Sequence, residues 1–304
     1  MKKSLFAALA LSALLFACSK EKTTQDKPAP SGKKVPVNVS ITDFVKKVEQ
    51  LPSPLGRKSN LSAKDSSLST EISDIYFFVF ESHNQVVDFI HQRSTDDNFG
   101  IIADSLPEGN YRIGLVASTD SLTLIAGAVF TNQPDETMAP TPFPDVFYKG
   151  ADITVSAEGT NIYDLSLERI VGFLEVNIGD APAISADSSV TVNLRFENSY
   201  LSPVYGDSYS GAFLIPMNIP RRSQQVFNAF VMSTYADVFV DIIYPDRTTG
   251  ALLTKTINYV GIDKNAKTIL SGNLYSAPPV PEKFSNGFNV SINKIWGPSN
   301  EIGF

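Results

Sequence analysis

Cysteine and histidine are nearly missing from this sequence: 304 residues carry 1 Cys and 2 His. One cysteine excludes an intramolecular disulfide, a thiolate zinc cluster and a CxxC redox pair. His83 and His91 flank a hairpin without HExxH spacing, so they read as surface imidazoles. The phosphate-cradling GxxxxGK[ST] and GxGxxG patterns are absent, as is the GxSxG nucleophile elbow. Basic residues are outnumbered, 25 Lys+Arg against 32 Asp+Glu, for a net charge of -7. That balance excludes a basic nucleic-acid surface. Ser94-Thr95-Asp96-Asp97-Asn98 clusters oxygen ligands but lacks the Gly and Glu positions of an EF-hand, and reads as a solvated acidic turn. No cofactor is implied. What is plentiful is apolar surface, 43% hydrophobic against 19% charged, which suits a globular chain. The inventory points away from an enzyme and toward a structural or binding protein.

The lone cysteine is informative by position. Met1-Lys2-Lys3 precedes an apolar run from Leu5 to Ala17, then Cys18. A basic start and a short apolar run describe a signal peptide, and the run falls short of the about 20 residues that span a membrane. Leu15-Phe16-Ala17-Cys18 resembles a bacterial lipobox, with Phe16 where a small residue is usual. The expectation is cleavage after residue 17 and lipidation of Cys18, with palmitate-type chains holding a folded body to the outer membrane. Residues 18–34, rich in Lys, Thr, Pro, Ser and Gly, read as a flexible tether.

Beyond the tether the chain reads as strands. Val35 to Ile41 is the first, with Val35, Val37, Val39 and Ile41 on one face. Residues 50–72 form a long polar stretch containing Arg57-Lys58. Ile75 to Phe80 is apolar on both faces, as in a strand covered on both sides. Val86 to Ile90 can pair with it as a hairpin. Tyr111 to Ala117, Ile153 to Val155 and Ile162 to Leu167 follow. Four later rows alternate cleanly: Gly172/Leu174/Val176/Ile178, Val190/Val192/Leu194/Phe196, Val238/Val240/Ile242/Tyr244 and Phe288/Val290/Ile292. Thr42 to Leu51 is the best helical window, and Tyr200 to Gly211 reads as a long loop. With 19 Pro and 18 Gly as punctuation, the fold class is all-β, built of sandwiches, with a boundary near residue 170.

Six segments then resemble the fimbrillin superfamily of Bacteroidota-type lipoproteins, especially its fimbrial anchor and accessory subunits. They are Ile72 to Glu81, Leu106-Pro107-Glu108-Gly109-Asn110-Tyr111, Asp145 to Gly150, Leu165 to Gly172, Asn265 to Tyr275 and Ile292 to Trp296. The resemblance implies two tandem transthyretin-like β-sandwich domains, residues 35–169 and 170–304. It implies a surface-exposed, lipid-anchored fimbrial subunit whose partners are fimbrillin-type shaft subunits. It also implies assembly by strand complementation, in which a neighbour's terminal strand fills a groove.

Under that reading the first strand is either retained or displaced. Cleavage at Arg57-Lys58 would free it, as in shaft subunits, whereas an anchor keeps it; Arg57 is otherwise a solvated loop residue. The candidate donor strand is Phe288, Val290, Ile292 and Trp296, which is otherwise a terminal core strand. Asp104-Ser105-Leu106 and Asp120-Ser121-Leu122 resemble the O-glycosylation sequons of this bacterial group. A second reading is a surface glycan-binding lipoprotein of an uptake system, with Tyr200, Tyr205, Tyr209 and Trp296 as a sugar platform. An adhesion target, glycan or host, stays open.

Overall fold

The computed structural model describes residues 32–44, 68–81, 84–125, 129–133, 138–184, 190–210, 215–275 and 288–293. The first part runs β1 (Lys34–Phe44), a single helical turn α1 (Leu68–Glu71), β2 (Asp74–Phe80), β3 (Val86–Arg93), β4 (Ile101–Pro107), β5 (Gly109–Ser118), β6 (Thr123–Ile125), β7 (Val129–Thr131), β8 (Val146–Val155) and β9 (Ile162–Arg169). The second runs β10 (Gly172–Ile178), β11 (Thr191–Arg195), β12 (Tyr200–Leu201), β13 (Ser208–Tyr209), β14 (Met217–Ile219), β15 (Val226–Val231), β16 (Val238–Pro245), β17 (Leu252–Val260), β18 (Lys267–Gly272) and β19 (Phe288–Asn293). The chain is all-β, as its period-two rows predict. No helix among the described residues is long and apolar enough to cross a membrane.

Seven strands order as β3-β2-β5-β8-β9-β1-β4. β8 and β9 share only the pairs Phe147↔Arg169 and Tyr148↔Glu168. The two ends of the sheet pack on each other from there: Ile75, Phe77, Val79, Ile113 and Leu115 meet Val37, Val39, Ile102, Leu165 and Leu167 in one core. A second sandwich packs β15-β10-β18-β19 on β14-β11-β16-β17. Leu174, Val176 and Ile178 meet Val192, Leu194, Val240 and Ile242 inside it. Both cores follow from alternation, because successive side chains on a strand point to opposite faces.

β2 is buried at every position. Its odd-numbered residues feed the first core. Tyr76, Phe78 and Phe80 enter a third core with Phe130, Phe143, Leu201, Val204 and Met232. A small sheet, β13-β12-β7-β6, brings strands of both parts together over that face. Gly114 in β5 permits the close approach: a Cβ there would lie 1.9 Å from the Pro203 carbonyl oxygen.

Three expectations are corrected. Thr42 to Phe44 continue β1 instead of starting a helix, because they pair in parallel with β9 up to Phe44↔Leu167; residues 45–51 lie outside the described residues. Phe196 does not join the inward row of Val190, Val192 and Leu194. Its φ of 68° turns the chain, and its ring is 42% exposed. The Tyr200 to Gly211 loop contains a short hairpin, β12–β13, with Tyr200↔Tyr209 and Leu201↔Ser208 paired.

Candidate assembly site

β1 occupies an inner position in the first sandwich. It pairs antiparallel with β4 from Lys34↔Pro107 to Ser40↔Ile101, and in parallel with β9 from Asn38↔Ile162 onward. Val37 and Val39 are each 1% exposed, and Val35 and Ile41 pack partly buried against the same core. Full burial of a valine contributes about 2 kcal/mol, so the inward face alone holds the strand firmly. Polar contacts add to this. The Asn161 amide donates to the Pro36 carbonyl at 3.3 Å, the Asn38 N–H donates to the Asn161 carbonyl at 2.8 Å, and the Ser40 hydroxyl donates to Asp164.

β19 forms the outer edge of the second sandwich. Phe288, Val290 and Ile292 register with Gly272, Leu270 and Thr268 of β18. Cys18, Arg57, Lys58, Trp296 and His83 lie outside the described residues.

Segments far apart in sequence meet at Arg169, the last residue of β9. Its guanidinium donates to both carboxylate oxygens of Asp145, each at 2.7 Å, and to the Asn265 side-chain oxygen at 2.9 Å. It also lies 5.0 Å from the centre of the Phe147 ring. The arginine side chain is 1% exposed and the carboxylate 10%. Asn265 takes a positive φ of 53° and donates its N–H to the Val171 carbonyl at 2.9 Å. Three of the segments quoted from the sequence thus converge on one buried clamp between the sandwiches. Gly172 sits beside it, where a Cβ would meet the Ile262 side chain at 2.3 Å and the Asp263 carbonyl oxygen at 2.7 Å.

The turn Leu106 to Tyr111 is tied by its tyrosine, whose hydroxyl donates to the Pro107 carbonyl at 3.0 Å. Glu197, buried to 6% exposure, accepts from the N–H groups of Met232 at 2.5 Å and Ser233 at 3.2 Å. Burial pushes its carboxyl up to about 7 against those hydrogen bonds. No sequence signal marked this residue.

His91 is not a surface imidazole. It stacks on Tyr76 with ring centres 4.3 Å apart, and its Nε2 lies 2.7 Å from the Asp74 carboxylate. The Ser121 hydroxyl donates to the other Asp74 oxygen at 3.1 Å. Serine and histidine therefore both end on the carboxylate, and the hydroxyl proton points at Asp74, away from the imidazole that a nucleophilic serine would need as base. The Ser94 to Asn98 run closes on its own backbone, with Asp96 accepting from the Arg93 N–H at 2.8 Å. Among the described residues no group of three His, Cys, Asp or Glu could hold a metal ion.

Tyr200 and Tyr209 stack on each other at 5.4 Å. Tyr205 lies under the Arg112 guanidinium at 5.2 Å, and its hydroxyl accepts from the Asn84 amide at 2.7 Å. Each ring has a protein partner, yet Tyr205 and Tyr209 stay 52% and 45% exposed. Ser105 is half-buried within β4, and Ser121 is exposed.

The protein-family model described as fimbrillin-A associated anchor proteins Mfa1 and Mfa2 matches residues 35–228. Among curated proteins none matches the sequence. Of solved structures, the fimbrial anchor protein Mfa2 from Porphyromonas gingivalis is similar at 11% identity and a TM-score of 0.50, over 86% of this chain and 98% of that one. The tip fimbrial protein Mfa3 from Porphyromonas gingivalis, with a C-terminal truncation, is similar at 13% identity and a TM-score of 0.43, over 85% and 99%. The family match covers more than half of the chain, from β1 into β15, so the protein belongs to the fimbrillin-A associated anchor proteins, a family of fimbrial proteins of the cell surface.

Proposed function

We propose that this protein is a lipid-anchored fimbrial subunit, an anchor or accessory component. It is held in the outer membrane through Cys18 and joined to fimbrillin-type shaft subunits by β-strand complementation. On this reading residues 35–169 and 170–304 are two transthyretin-like sandwiches in tandem, and the protein performs no catalysis.

The observation that carries the reading is the place of β1. It is the first strand after the tether, it is hydrogen-bonded along both edges, and its valines lie in the core. A lipid on Cys18 would therefore be fastened to the fold itself, so that a pull on the filament loads a whole sandwich. Were β1 removed by cleavage at Arg57-Lys58, β9 and β4 would face an open groove with unpaired backbone groups, the acceptor that strand complementation requires. An anchor keeps that groove filled and engages the shaft elsewhere, and the edge strand β19 is the candidate.

N-terminal analysis of protein extracted from filaments tests the reading, alongside labelling with a radioactive fatty acid. The expected result is a lipid-blocked Cys18 and a label lost in Cys18→Ala, with filaments shed into the medium. A chain starting at Lys58 would overturn the anchor role, and an unlabelled wild-type protein would overturn lipid anchoring.

A further inference from the structure

The seam between the sandwiches holds a cleft of about 650 Å³ whose lining includes no residue of β1 or β19. One wall is the turn after β5 and the chain after β7, and the other is β10, β15 and the segment before β15. Its size falls within the about 300–1,000 Å³ of small-molecule sites.

Asn132 lines this cleft and is 7% exposed. Its backbone is fully engaged. The N–H donates to the Ser199 carbonyl at 3.2 Å, and the carbonyl accepts from the Thr141 N–H at 3.1 Å and its hydroxyl at 3.3 Å. Its side-chain amide is not: neither the nitrogen nor the oxygen has a hydrogen-bond partner. A buried amide left so costs about 1–3 kcal/mol per group, and native proteins keep few such groups without a reason. The amide offers two donors and an acceptor with no charge, so its complement is a group that both donates and accepts.

The remaining walls narrow the class. Phe173 and Phe230 meet edge to face at 5.2 Å and supply apolar ring surface. Arg222 and Asp120 contribute one charge of each sign, and the Arg222 Nε already donates to the Asn228 side-chain oxygen at 3.3 Å. A strongly anionic or cationic ligand therefore gains little. A peptide strand is also disfavoured, because the outer edge of β15 is taken at Val226 to Asn228 by the segment before it. The Arg222 N–H donates to the Val226 carbonyl at 2.8 Å, and the Asn228 N–H donates to the Pro220 carbonyl at 3.2 Å. Neighbouring hydroxyls on a ring with C–H faces match an unpaired neutral amide beside aromatic rings.

We propose that this cleft binds a neutral saccharide, with the Asn132 amide pairing to its hydroxyl or acetamido groups and Phe173 and Phe230 supplying the apolar face. The site would give a fimbrial subunit a glycan contact separate from its assembly strands.

The test titrates the full chain in detergent micelles with maltotriose, mannotriose and N,N′,N″-triacetylchitotriose by calorimetry and saturation-transfer NMR. At least one probe is expected to bind, and Asn132→Leu to weaken it by about tenfold or more, a shift of about 1.4 kcal/mol. The melting temperature should not fall in that variant, because no hydrogen bond is lost. Absence of binding at about 10 mM for all three probes, or equal binding to the variant, overturns the proposal. Tighter binding of a sulfated oligosaccharide than of any neutral probe overturns the neutral class. Should Asn132→Leu fail to fold, Phe173→Leu, which removes the ring but keeps an apolar side chain at a half-buried position, decides: weakening by about threefold or more sustains the site, and unchanged affinity overturns it.

Discussion

Arg169 ends a strand whose alternation puts it on the inward face with Leu165 and Leu167, but nothing local says what would pair a charge buried there. Only the return of the chain at Asp145 and Asn265 supplies the acceptors that let a guanidinium be buried there. Replacing it with Met keeps the volume but strands the buried Asp145 carboxylate beside it. The expected cost is about 3–5 kcal/mol, with part recovered when Asp145→Asn is added. Urea unfolding of the wild type, both single variants and the double variant measures that coupling.

Glu197 predicts a pH dependence of the opposite kind to a salt-bridged acid. Its ordinary value of 4.5 is raised to about 7 by burial, so between those values the folded chain holds a proton that the unfolded chain has released. Its contribution to stability is complete below pH 4.5, declines as pH rises, and is lost above about 7, a change of up to about 3 kcal/mol. Denaturation midpoints at about pH 5 and about pH 8 should therefore differ less in Glu197→Gln than in the wild type, other groups being common to both.

At the level of elements, β2 shows how much a pattern can disclose. Six consecutive apolar residues, Ile75 to Phe80, predict cover on both faces, and the strand is buried throughout. What covers the second face is not written in β2. The small sheet β13-β12-β7-β6 draws on the Tyr200 to Gly211 segment, whose Pro203 and Gly206 conceal a hairpin of two-residue strands. Gly114 is the price of this contact. Gly114→Ala places a methyl group against the Pro203 carbonyl and should destabilise by about 1–3 kcal/mol while lifting the hairpin off β5. Faster hydrogen exchange at the β12–β13 amides, without change in β10 or β18, would show it. Among the described residues β19 pairs with β18 alone, so deleting residues 288–304 removes an edge and leaves the other strands of that sheet paired. Such a chain is expected to fold yet fail to co-purify with filaments, and filaments that retain it would exclude β19 as the joining strand.

On the scale of the molecule, residues Lys34–Phe304 group as one compact unit, with a core in each sandwich and a third between them. The third core joins Tyr76, Phe78, Phe80 and Phe130 from one part to Leu201, Val204 and Met232 from the other. A fragment ending at Arg169 would leave the outer face of β2 uncovered. It should bind a hydrophobic dye and self-associate, whereas the full chain should unfold in a single transition followed by circular dichroism. A dye-free, monomeric fragment would show that the first sandwich needs no partner.

The sequence by itself determined the all-β class, most strands and their inward rows, and the family resemblance. Those properties follow from nearest-neighbour geometry, since alternation on a strand is a local rule. Tertiary structure alone decided the clamp at Arg169, the raised pKa of Glu197, the pairing of His91 with Asp74, and the unpartnered amide of Asn132 in the cleft. Each depends on which groups arrive from segments tens of residues away. Burial makes a polar side chain answerable to those neighbours instead of to water.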